Sequence, residues 1–337
     1  MQEQVLLGLL QGVSRSFYLT VRILPRPVRE PIAVAYLLAR IADTLADTDA
    51  LPVERRLEEL RLLRDRIDSH HSAAVVLDAM AGSRTTAGER ELLRWVENLI
   101  NIVDTTPPET RDPIRNVLHT ITTGQELDLV RFGAAGGDRL IALQTDAELD
   151  DYTYRVAGCV GEFWTKVTRT HLFPEDWLDF KGLMTQGVRF GKGLQLVNIL
   201  RDLPADLRQG RCYLPETALT QHSLVPEDLL DPANAARFRP LYLEYVARAE
   251  DHLTAGWHYT LALPYRLLRL RLACAWPLLI GVRTLGLLRV GNVLDPSQRI
   301  KVGRRQVRSI MLRSLLLYPL PGAWSGQFER ARRQAAT

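Results

Sequence analysis

Apolar residues recur every three or four positions along most of the chain, which is the pattern of amphipathic α-helices. The alternating pattern of a half-buried β-strand is scarce. Proline and glycine interrupt the helical pattern at Pro25, at Pro27, at residues 107–108 and at residues 133–137. The sequence therefore predicts an all-α fold. The predicted helices cover residues 2–12, 28–49, 52–69, 87–103, 110–132, 147–171, 177–202, 239–261, 264–289 and 303–317.

No long linker or low-complexity stretch divides the 337 residues. The hydrophobic content of 46% and the charged content of 24% fit a soluble globular protein with a substantial core. Length is only a soft guide to the number of domains. We predict a single domain over residues 1–337.

One predicted helix carries a narrow polar stripe among apolar residues, between Tyr36 and Asp47. At about 100° per residue, Tyr36, Arg40, Asp43 and Asp47 lie within a strip roughly 60° wide. The other residues of this stretch are mostly leucine, isoleucine and alanine. A tyrosine, an arginine and two carboxylates are therefore predicted to lie on one face of this helix.

A second stripe lies between Gln195 and Asp206. Gln195, Asn198, Asp202 and Asp206 fall within about 80° on a helical wheel. Pro204 complicates this prediction because it lacks an amide hydrogen and its ring clashes with the carbonyl four residues earlier. We expect the helix to end or kink near residues 201–203, so that Asp206 reaches the site either past a kink or from a following turn.

Paired aspartates on otherwise apolar helices point to a bound cation. Carboxylates four residues apart repel one another weakly, and burying them is costly unless a positive charge is near. A single pair is usually ordinary solvated helix surface, but here two pairs occur, each beside an arginine. Mg²⁺ binds oxygen ligands and commonly uses one or two carboxylates plus substrate phosphates. The pattern predicts a Mg²⁺–diphosphate site between helices.

Four ordered motifs give the chain a family resemblance. They are Ser14-Arg15-Ser16-Phe17, the stretch from Tyr36 to Asp47, the stretch from Tyr152 to Gly161, and the stretch from Gln195 to Asp206 followed by Arg211-Cys212-Tyr213-Leu214-Pro215. Together they resemble the squalene/phytoene synthase family, the head-to-head condensing branch of the isoprenyl diphosphate synthases. The resemblance implies an isoprenoid-synthase fold, a single helical bundle around a central prenyl-binding cavity.

The resemblance also implies roles for individual residues. The metal ligands would be Asp43, Asp47, Asn198, Asp202 and Asp206. The substrate diphosphate would be bound by Ser14, Arg15, Ser16, Arg40, Gln195, Arg201 and Arg211. Tyr36, Tyr152 and Phe17 would act on the reacting prenyl chains, the tyrosines by hydrogen bonding or proton transfer and Phe17 through its ring face. Ordinary core packing remains the alternative for these three aromatic residues, a surface ion pair for Arg15, and ordinary helix polarity for Gln195 and Asn198.

The segment Ile300-Lys301-Val302-Gly303-Arg304 resembles the region with which squalene synthases bind reduced nicotinamide cofactor. Lys301 and Arg304 would bind the phosphates of NADPH, and a solvated basic helix is the alternative explanation for them. The implied reaction joins two molecules of farnesyl diphosphate to presqualene diphosphate and reduces it to squalene. The alternatives are a phytoene- or dehydrosqualene-type synthase without reduction, an enzyme of a hydroxysqualene route, and a non-catalytic helical relative.

Charge and cysteine content narrow the functional classes. The net charge of +4 is modest, and no aromatic-interleaved basic tract is present, so nucleic acid is not an expected partner. Cys159, Cys212 and Cys274 have no metal-ligand spacing, and their odd number argues against a complete disulfide framework. We expect a cytoplasmic protein, with peripheral membrane contact allowed by a lipid product. The apolar stretch at residues 272–288 is too interrupted to predict a membrane span, and nothing predicts the oligomeric state.

Overall fold

The structure is a computed structural model. It describes residues 2–69, 82, 85–135, 139–173, 179–295, 297–298 and 300–333, without the side chains of Gln2, Arg15 and Ser16.

Helices make up nearly all of the regular structure in these residues, which confirms the all-α prediction. The α-helices are α1 (Gln2–Val13), α2 (Arg15–Ile23), α3 (Arg26–Asp47), α4 (Val53–Ile67), α5 (Ala87–Arg94), α6 (Val96–Thr105), α7 (Pro108–Phe132), α8 (Asp146–Thr153), α9 (Cys159–Leu172), α10 (Phe180–Arg208), α11 (Glu216–Gln221), α12 (Ala235–Ala262), α13 (Leu268–Val290), α14 (Arg304–Leu316), α15 (Pro321–Ser325) and α16 (Gln327–Arg333). A π-helix covers Tyr154–Gly158, and 3₁₀ helices cover Pro226–Leu230 and Pro232–Asn234. The strands β1 (Ile141–Ala142) and β2 (Arg211–Cys212) form a two-stranded parallel sheet.

The chain divides into two compact units. The first unit comprises Met1–Gly133 and Glu162–Trp177, and the second comprises Ala134–Gly161 and Leu178–Thr337. The acidic stripe of α3 belongs to the first unit, and that of α10 belongs to the second. The single domain over residues 1–337 stays a prediction.

Helix α3 is the centre of the first unit and packs against α1, α4, α5, α6 and α7. Its Leu37, Leu38, Ile41 and Leu45 are at most 1% exposed. On a helical wheel Leu38, Ile41 and Leu45 lie opposite the polar stripe, and Leu37 lies beside it. Burial of this apolar face therefore fixes which way the acidic side of the helix points.

The second unit is built on α10, α12 and α13, which contact one another, while α14 and α16 pack against α13. Within the described residues, Leu268–Val290 is the one helix long and apolar enough to cross a membrane, and 61% of its most apolar window is buried. A core helix passes the same test of length and composition, so this is weak evidence for a span.

Several predicted boundaries were wrong. The helix predicted over 87–103 is two helices, α5 and α6, separated at Trp95. The helix predicted over 147–171 contains the π-helix between α8 and α9. Helix α2 was missed, although Ser14 caps it by accepting a hydrogen bond from the Phe17 amide at 3.3 Å. Short helices such as α15 and α16, and the two-residue strands, carry too few residues to show a period.

Candidate active site

Asp43 is the best-defined carboxylate of the first acidic stripe. Its Oδ1 accepts a hydrogen bond from Nε2 of Gln125 on α7, and its Oδ2 lies 3.8 Å from Nη1 of Arg40. Burial, the largest cause, raises the pKa of Asp43 to about 6, and the charge of Asp47 adds to the rise while Arg40 and Gln125 oppose it. The side chain is nevertheless 47% exposed. A carboxyl group can be surrounded by protein and still be reached by a ligand from solvent.

Gln125 is a site residue that the sequence analysis missed. It lies on the buried face of α7, and its Oε1 is buried without a hydrogen-bond partner among the described residues. A lone glutamine inside an amphipathic helix gives no functional signal, because its role depends on the packing of α7 against α3. Its amide nitrogen binds Asp43 and leaves an oxygen acceptor beside the acidic stripe.

Arg40 is held between two acidic side chains. Besides its contact with Asp43, its Nη2 donates a hydrogen bond to Oε1 of Glu89 on α5. Glu89 also accepts from the backbone amide and the hydroxyl of Thr86, both at 2.8 Å. Although burial raises the pKa of Glu89, these hydrogen bonds outweigh it and hold the pKa below its ordinary value. Glu89 therefore stays ionised and anchors the guanidinium.

Ser14, Phe17 and Tyr36 lie together in the first unit. The rings of Phe17 and Tyr36 stack, with centroids 4.1 Å apart and an angle of 24° between the planes. The Tyr36 hydroxyl hydrogen-bonds with the Ser14 side chain, and burial raises its pKa more than that bond lowers it. Phe17 and Tyr36, which are both predicted to act on the prenyl chains, therefore form one aromatic pair. The side chains of Arg15 and Ser16, which are predicted to bind the diphosphate, lie outside the described residues.

The second acidic stripe lies on α10, where Arg201 and Asp202 pair. Nε of Arg201 donates to Oδ1 of Asp202 at 2.9 Å, and Nη2 donates to Oδ2 at 2.5 Å. Nδ2 of Asn198 donates to Oε1 of Gln195 at 3.5 Å, which is a long hydrogen bond. The predicted diphosphate arginine and the predicted metal ligand thus neutralise one another in this structure.

Pro204 does not end α10, which rules out the predicted helix end near residues 201–203 and leaves the predicted kink as the remaining alternative. The helix continues through Pro204 to Arg208 and carries Asp206 within it. The hydroxyl of Tyr242 on α12 donates to the Leu200 carbonyl at 3.1 Å. That carbonyl is the acceptor that residue 204 would satisfy if it had an amide hydrogen. A hydroxyl from the neighbouring helix therefore replaces the missing backbone donor.

Tyr152 lies at the end of α8, just before the π-helix. Its ring stacks on Tyr213, with centroids 4.6 Å apart. A Cβ at Gly161 would overlap the backbone carbonyl of Gly187, and a Cβ at Gly191 would overlap that of Ala157. These contacts show that the helices approach each other closely at residues 157–161. The glycines bring the segment after Tyr152 directly against α10.

Arg211 is positioned by the small sheet. β1 and β2 are parallel, with Ile141 opposite Arg211 and Ala142 opposite Cys212. The Ile141 amide donates to the Gly210 carbonyl at 2.8 Å, and Gly210 has φ of 80°, a conformation that favours glycine. The turn and the strand pair fix the chain between the acidic helix and Tyr213.

Lys301 and Arg304 are both exposed at the start of α14. Gly303 caps this helix, with the side chain of Gln306 accepting from the Gly303 amide at 3.0 Å. Both basic side chains are exposed and therefore available to a phosphate. Their role in NADPH binding stays a prediction.

The donor set of the two stripes fits Mg²⁺. Among the described residues, no group of three or more histidine, cysteine, aspartate or glutamate side chains could hold a metal ion. Each stripe instead offers two carboxylates, and the first adds the unsatisfied oxygen of Gln125. Mg²⁺ commonly completes its coordination with water and substrate phosphates, so two carboxylates are sufficient.

A sequence profile of the squalene/phytoene synthase family matches residues 10–306, which include both acidic stripes. The chain belongs to this family. Family members are prenyltransferase-type enzymes whose substrates are prenyl diphosphates. Over 252 residues the chain is 30% identical to the presqualene diphosphate synthase of Rhodopseudomonas palustris, covering 73% of this chain and 75% of that protein. It is 26% identical to the squalene synthase of Schizosaccharomyces pombe, covering 92% of this chain and 64% of that protein.

The chain is also 29% identical to the bifunctional lycopene cyclase/phytoene synthase of Colletotrichum graminicola over 71% of its residues. It spans only 39% of the length of that relative. Among solved structures, TcSQS bound to the ligand E5700 superposes with a TM-score of 0.75 at 21% identity, covering 99% of this chain and 98% of that chain. A dehydrosqualene synthase superposes with a TM-score of 0.66 at 20% identity, covering 93% and 96%. These likenesses confirm the isoprenoid-synthase fold.

Proposed function

We propose that the protein is a squalene synthase, which joins two molecules of farnesyl diphosphate to presqualene diphosphate and reduces this intermediate to squalene with NADPH. The observation that carries the proposal is the pair of acidic stripes, on α3 and α10, in a family whose substrates are prenyl diphosphates. The relatives include squalene synthases, which favours squalene as the product.

Asp43, Asp47, Asn198, Asp202 and Asp206 would hold Mg²⁺. Bound Mg²⁺ neutralises negative charge that develops on a departing diphosphate. Ionised Asp43 suits this role, because a cation compensates the burial that raises its pKa. Gln125 positions that carboxylate through its amide and offers its free oxygen to a metal-bound water or to the metal.

The arginines would bind the diphosphate itself. Arg40, Arg201 and Arg211 present guanidinium groups that can donate two parallel hydrogen bonds to phosphate oxygens. Glu89 holds Arg40 in place. Arg201 would exchange its bond to Asp202 for a phosphate oxygen, which would free that carboxylate for the metal. Gln195, Ser14 and Ser16 would add neutral donors, and Arg15 would add a cationic one.

The aromatic residues would act on the prenyl chains. The stacked pair of Phe17 and Tyr36 offers a ring face to a carbocation, and ring faces attract positive charge. Tyr152, fixed by its stacking on Tyr213, would hydrogen-bond the diphosphate or accept the proton lost when the cyclopropane ring forms. Lys301 and Arg304 would bind the phosphates of NADPH, which supplies hydride for the reduction.

A second candidate product is presqualene diphosphate itself. The relative from Rhodopseudomonas palustris is a presqualene diphosphate synthase, and the chain covers three quarters of it. In that case Lys301 and Arg304 have no cofactor to bind. A phytoene- or dehydrosqualene-type synthase, whose intermediate loses a proton and is not reduced, is the third candidate function.

We also propose that the protein is located in the cytoplasm.

Product analysis separates these candidates. Purified protein is incubated with radiolabelled farnesyl diphosphate and Mg²⁺, with and without NADPH, and the lipid products are resolved by chromatography. Squalene that appears only with NADPH supports the proposal. Presqualene diphosphate as the sole product under both conditions, or a conjugated triene without NADPH, assigns the protein to one of the alternatives. If neither wild type nor Asp43→Asn forms any product from farnesyl diphosphate, the result would favour a non-catalytic relative.

A further inference from the structure

Helix α14 presents an unusual set of apolar side chains to solvent. Four leucines on or just after this helix are about half exposed or more: Leu312 at 59%, Leu315 at 48%, Leu316 at 66% and Leu320 at 58%. Scattered exposed leucines are normal, but a contiguous group commonly marks an interaction surface. Here three of the four lie within five residues on one helix.

Arginines share this outward face with the leucines. At about 100° per residue, Arg305, Arg308, Leu312 and Leu316 fall within roughly 80°. The opposite face of α14 is fixed to α13, because Nε1 of Trp276 donates to the buried Ser314 hydroxyl at 2.9 Å. The outward face is therefore a stable feature of the fold.

The charge of this region is entirely positive. Residues 296–328 contain six arginines and lysines and no aspartate or glutamate. The basic residues are Arg299, Lys301, Arg304, Arg305, Arg308 and Arg313, of which Arg299 lies outside the described residues. Within the described part of the chain, the four arginines of α14 make no ion pair with a carboxylate, so their charge faces solvent uncompensated.

An exposed tyrosine borders the same region. Tyr265 is 46% exposed and stacks on Tyr318, with ring centroids 4.7 Å apart. Its hydroxyl donates to the Tyr318 carbonyl at 2.6 Å. Buried Arg271 lies 5.4 Å from the Tyr265 centroid and 4.6 Å from that of Trp324, which holds this corner rigid. Tyrosines with one apolar and one polar end favour the boundary between lipid and water.

We propose that this surface, formed by α14, Leu320 and Tyr265, binds the face of an anionic lipid bilayer. The leucines would enter the boundary between headgroups and acyl chains, and Arg305, Arg308 and Arg313 would contact anionic headgroups. A helix of 13 residues is about 20 Å long, too short to cross a hydrocarbon core of roughly 30 Å, so it lies in the surface plane. Nucleic acid fits less well, because four exposed leucines have no counterpart on a phosphate backbone.

The test uses the full chain and lipid vesicles without substrate, so that its outcome is independent of the proposed reaction. Sedimentation is measured with vesicles of phosphatidylcholine alone and of phosphatidylcholine with 30 mole percent phosphatidylglycerol. We expect binding to the anionic vesicles that weakens as salt rises. The variants Arg305→Gln/Arg308→Gln and Leu312→Gln/Leu316→Gln should each lower the partition coefficient by about tenfold or more.

Matched controls remove the same charge or apolar area elsewhere. Arg61→Gln/Arg94→Gln removes two exposed arginines, and Val130→Gln/Leu230→Gln removes two exposed apolar residues. Both should bind vesicles as wild type does. Circular dichroism checks that each variant is folded, and the arginine variant still tests the proposal if the leucine variant is not.

Three results would overturn the proposal. The first is equal binding to neutral and anionic vesicles, and the second is loss of binding in the controls as large as in the α14 variants. The third is a wild-type dimer, seen by analytical ultracentrifugation, that Leu312→Gln/Leu316→Gln dissociates without any change in vesicle binding. In that last case the leucines serve a protein interface.

Discussion

Asp43 shows how one side chain can be unfavourable for the free protein and useful for a ligand. Burial raises its pKa to about 6 from an ordinary value of 3.8, so the folded protein binds this proton more tightly than the unfolded chain does. The contribution of Asp43 to stability is therefore highest below pH 3.8, falls as the pH rises towards about 6, and stays low above that.

Replacing Asp43 with a neutral residue should remove the cost to stability of burying an ionised carboxylate. In EDTA, Asp43→Asn should raise the melting temperature relative to wild type at pH 7.5, and the gain should shrink towards zero near pH 4, where the wild-type carboxyl is protonated. Thermal denaturation at a series of pH values measures the difference. A gain that does not vary with pH would show that burial does not govern this carboxyl group.

Ligand binding should reverse the effect of Asp43→Asn on the melting temperature. With Mg²⁺ and inorganic pyrophosphate present at pH 7.5, wild type should gain melting temperature, because ligands that bind only the folded state stabilise it. Asp43→Asn should lose most of that gain. The matched control is Asp112→Asn, which removes a surface carboxylate with 61% exposure and should respond as wild type does.

At the scale of elements, α10 shows that a local rule can be overruled by a neighbouring helix. Proline inside a helix leaves a carbonyl without its donor, and sequence alone predicts an end or a kink there. The Tyr242 hydroxyl supplies the donor from α12, which sequence cannot indicate because Tyr242 and Leu200 are 42 positions apart. The acidic stripe of α10 thus depends on a contact from outside its own helix.

A double-mutant cycle tests this substitution of donors. Tyr242→Phe should destabilise the protein by about 1–2 kcal/mol, because it leaves the buried Leu200 carbonyl unsatisfied. In the Pro204→Ala background, the new backbone amide can satisfy that carbonyl, so the cost of Tyr242→Phe should fall clearly. Denaturant unfolding of the four proteins provides the values. Equal costs in both backgrounds would contradict this explanation.

The glycine contact between α9 and α10 makes a second prediction for the elements. Gly161→Ala places a Cβ against the Gly187 carbonyl and should destabilise the protein by about 1–3 kcal/mol. Gly8→Ala is the control, because nothing lies within 4 Å of its Cβ position and alanine favours the helix. Denaturant unfolding should show the first variant weakened and the second unchanged or slightly more stable.

For the whole molecule, periodicity predicted the long helices, because each buries an apolar face whose spacing is visible in the sequence. The two acidic stripes were visible for the same reason. Gln125 and Tyr242 were not, because each acts through packing between helices that are distant in sequence. Product identity could not be predicted, because relatives named for different products match this same sequence.

The measurement that tests the central claim most directly is the rate of pyrophosphate release from farnesyl diphosphate by wild type and by four single variants, Asp43→Asn, Asp47→Asn, Asp202→Asn and Asp206→Asn. We predict Mg²⁺-dependent release by wild type that EDTA abolishes. Each variant should fall by about 100-fold or more, while Asp112→Asn retains the wild-type rate. Release that persists in EDTA, or variants on both stripes that match wild type, would contradict the assignment of these carboxylates to the reaction.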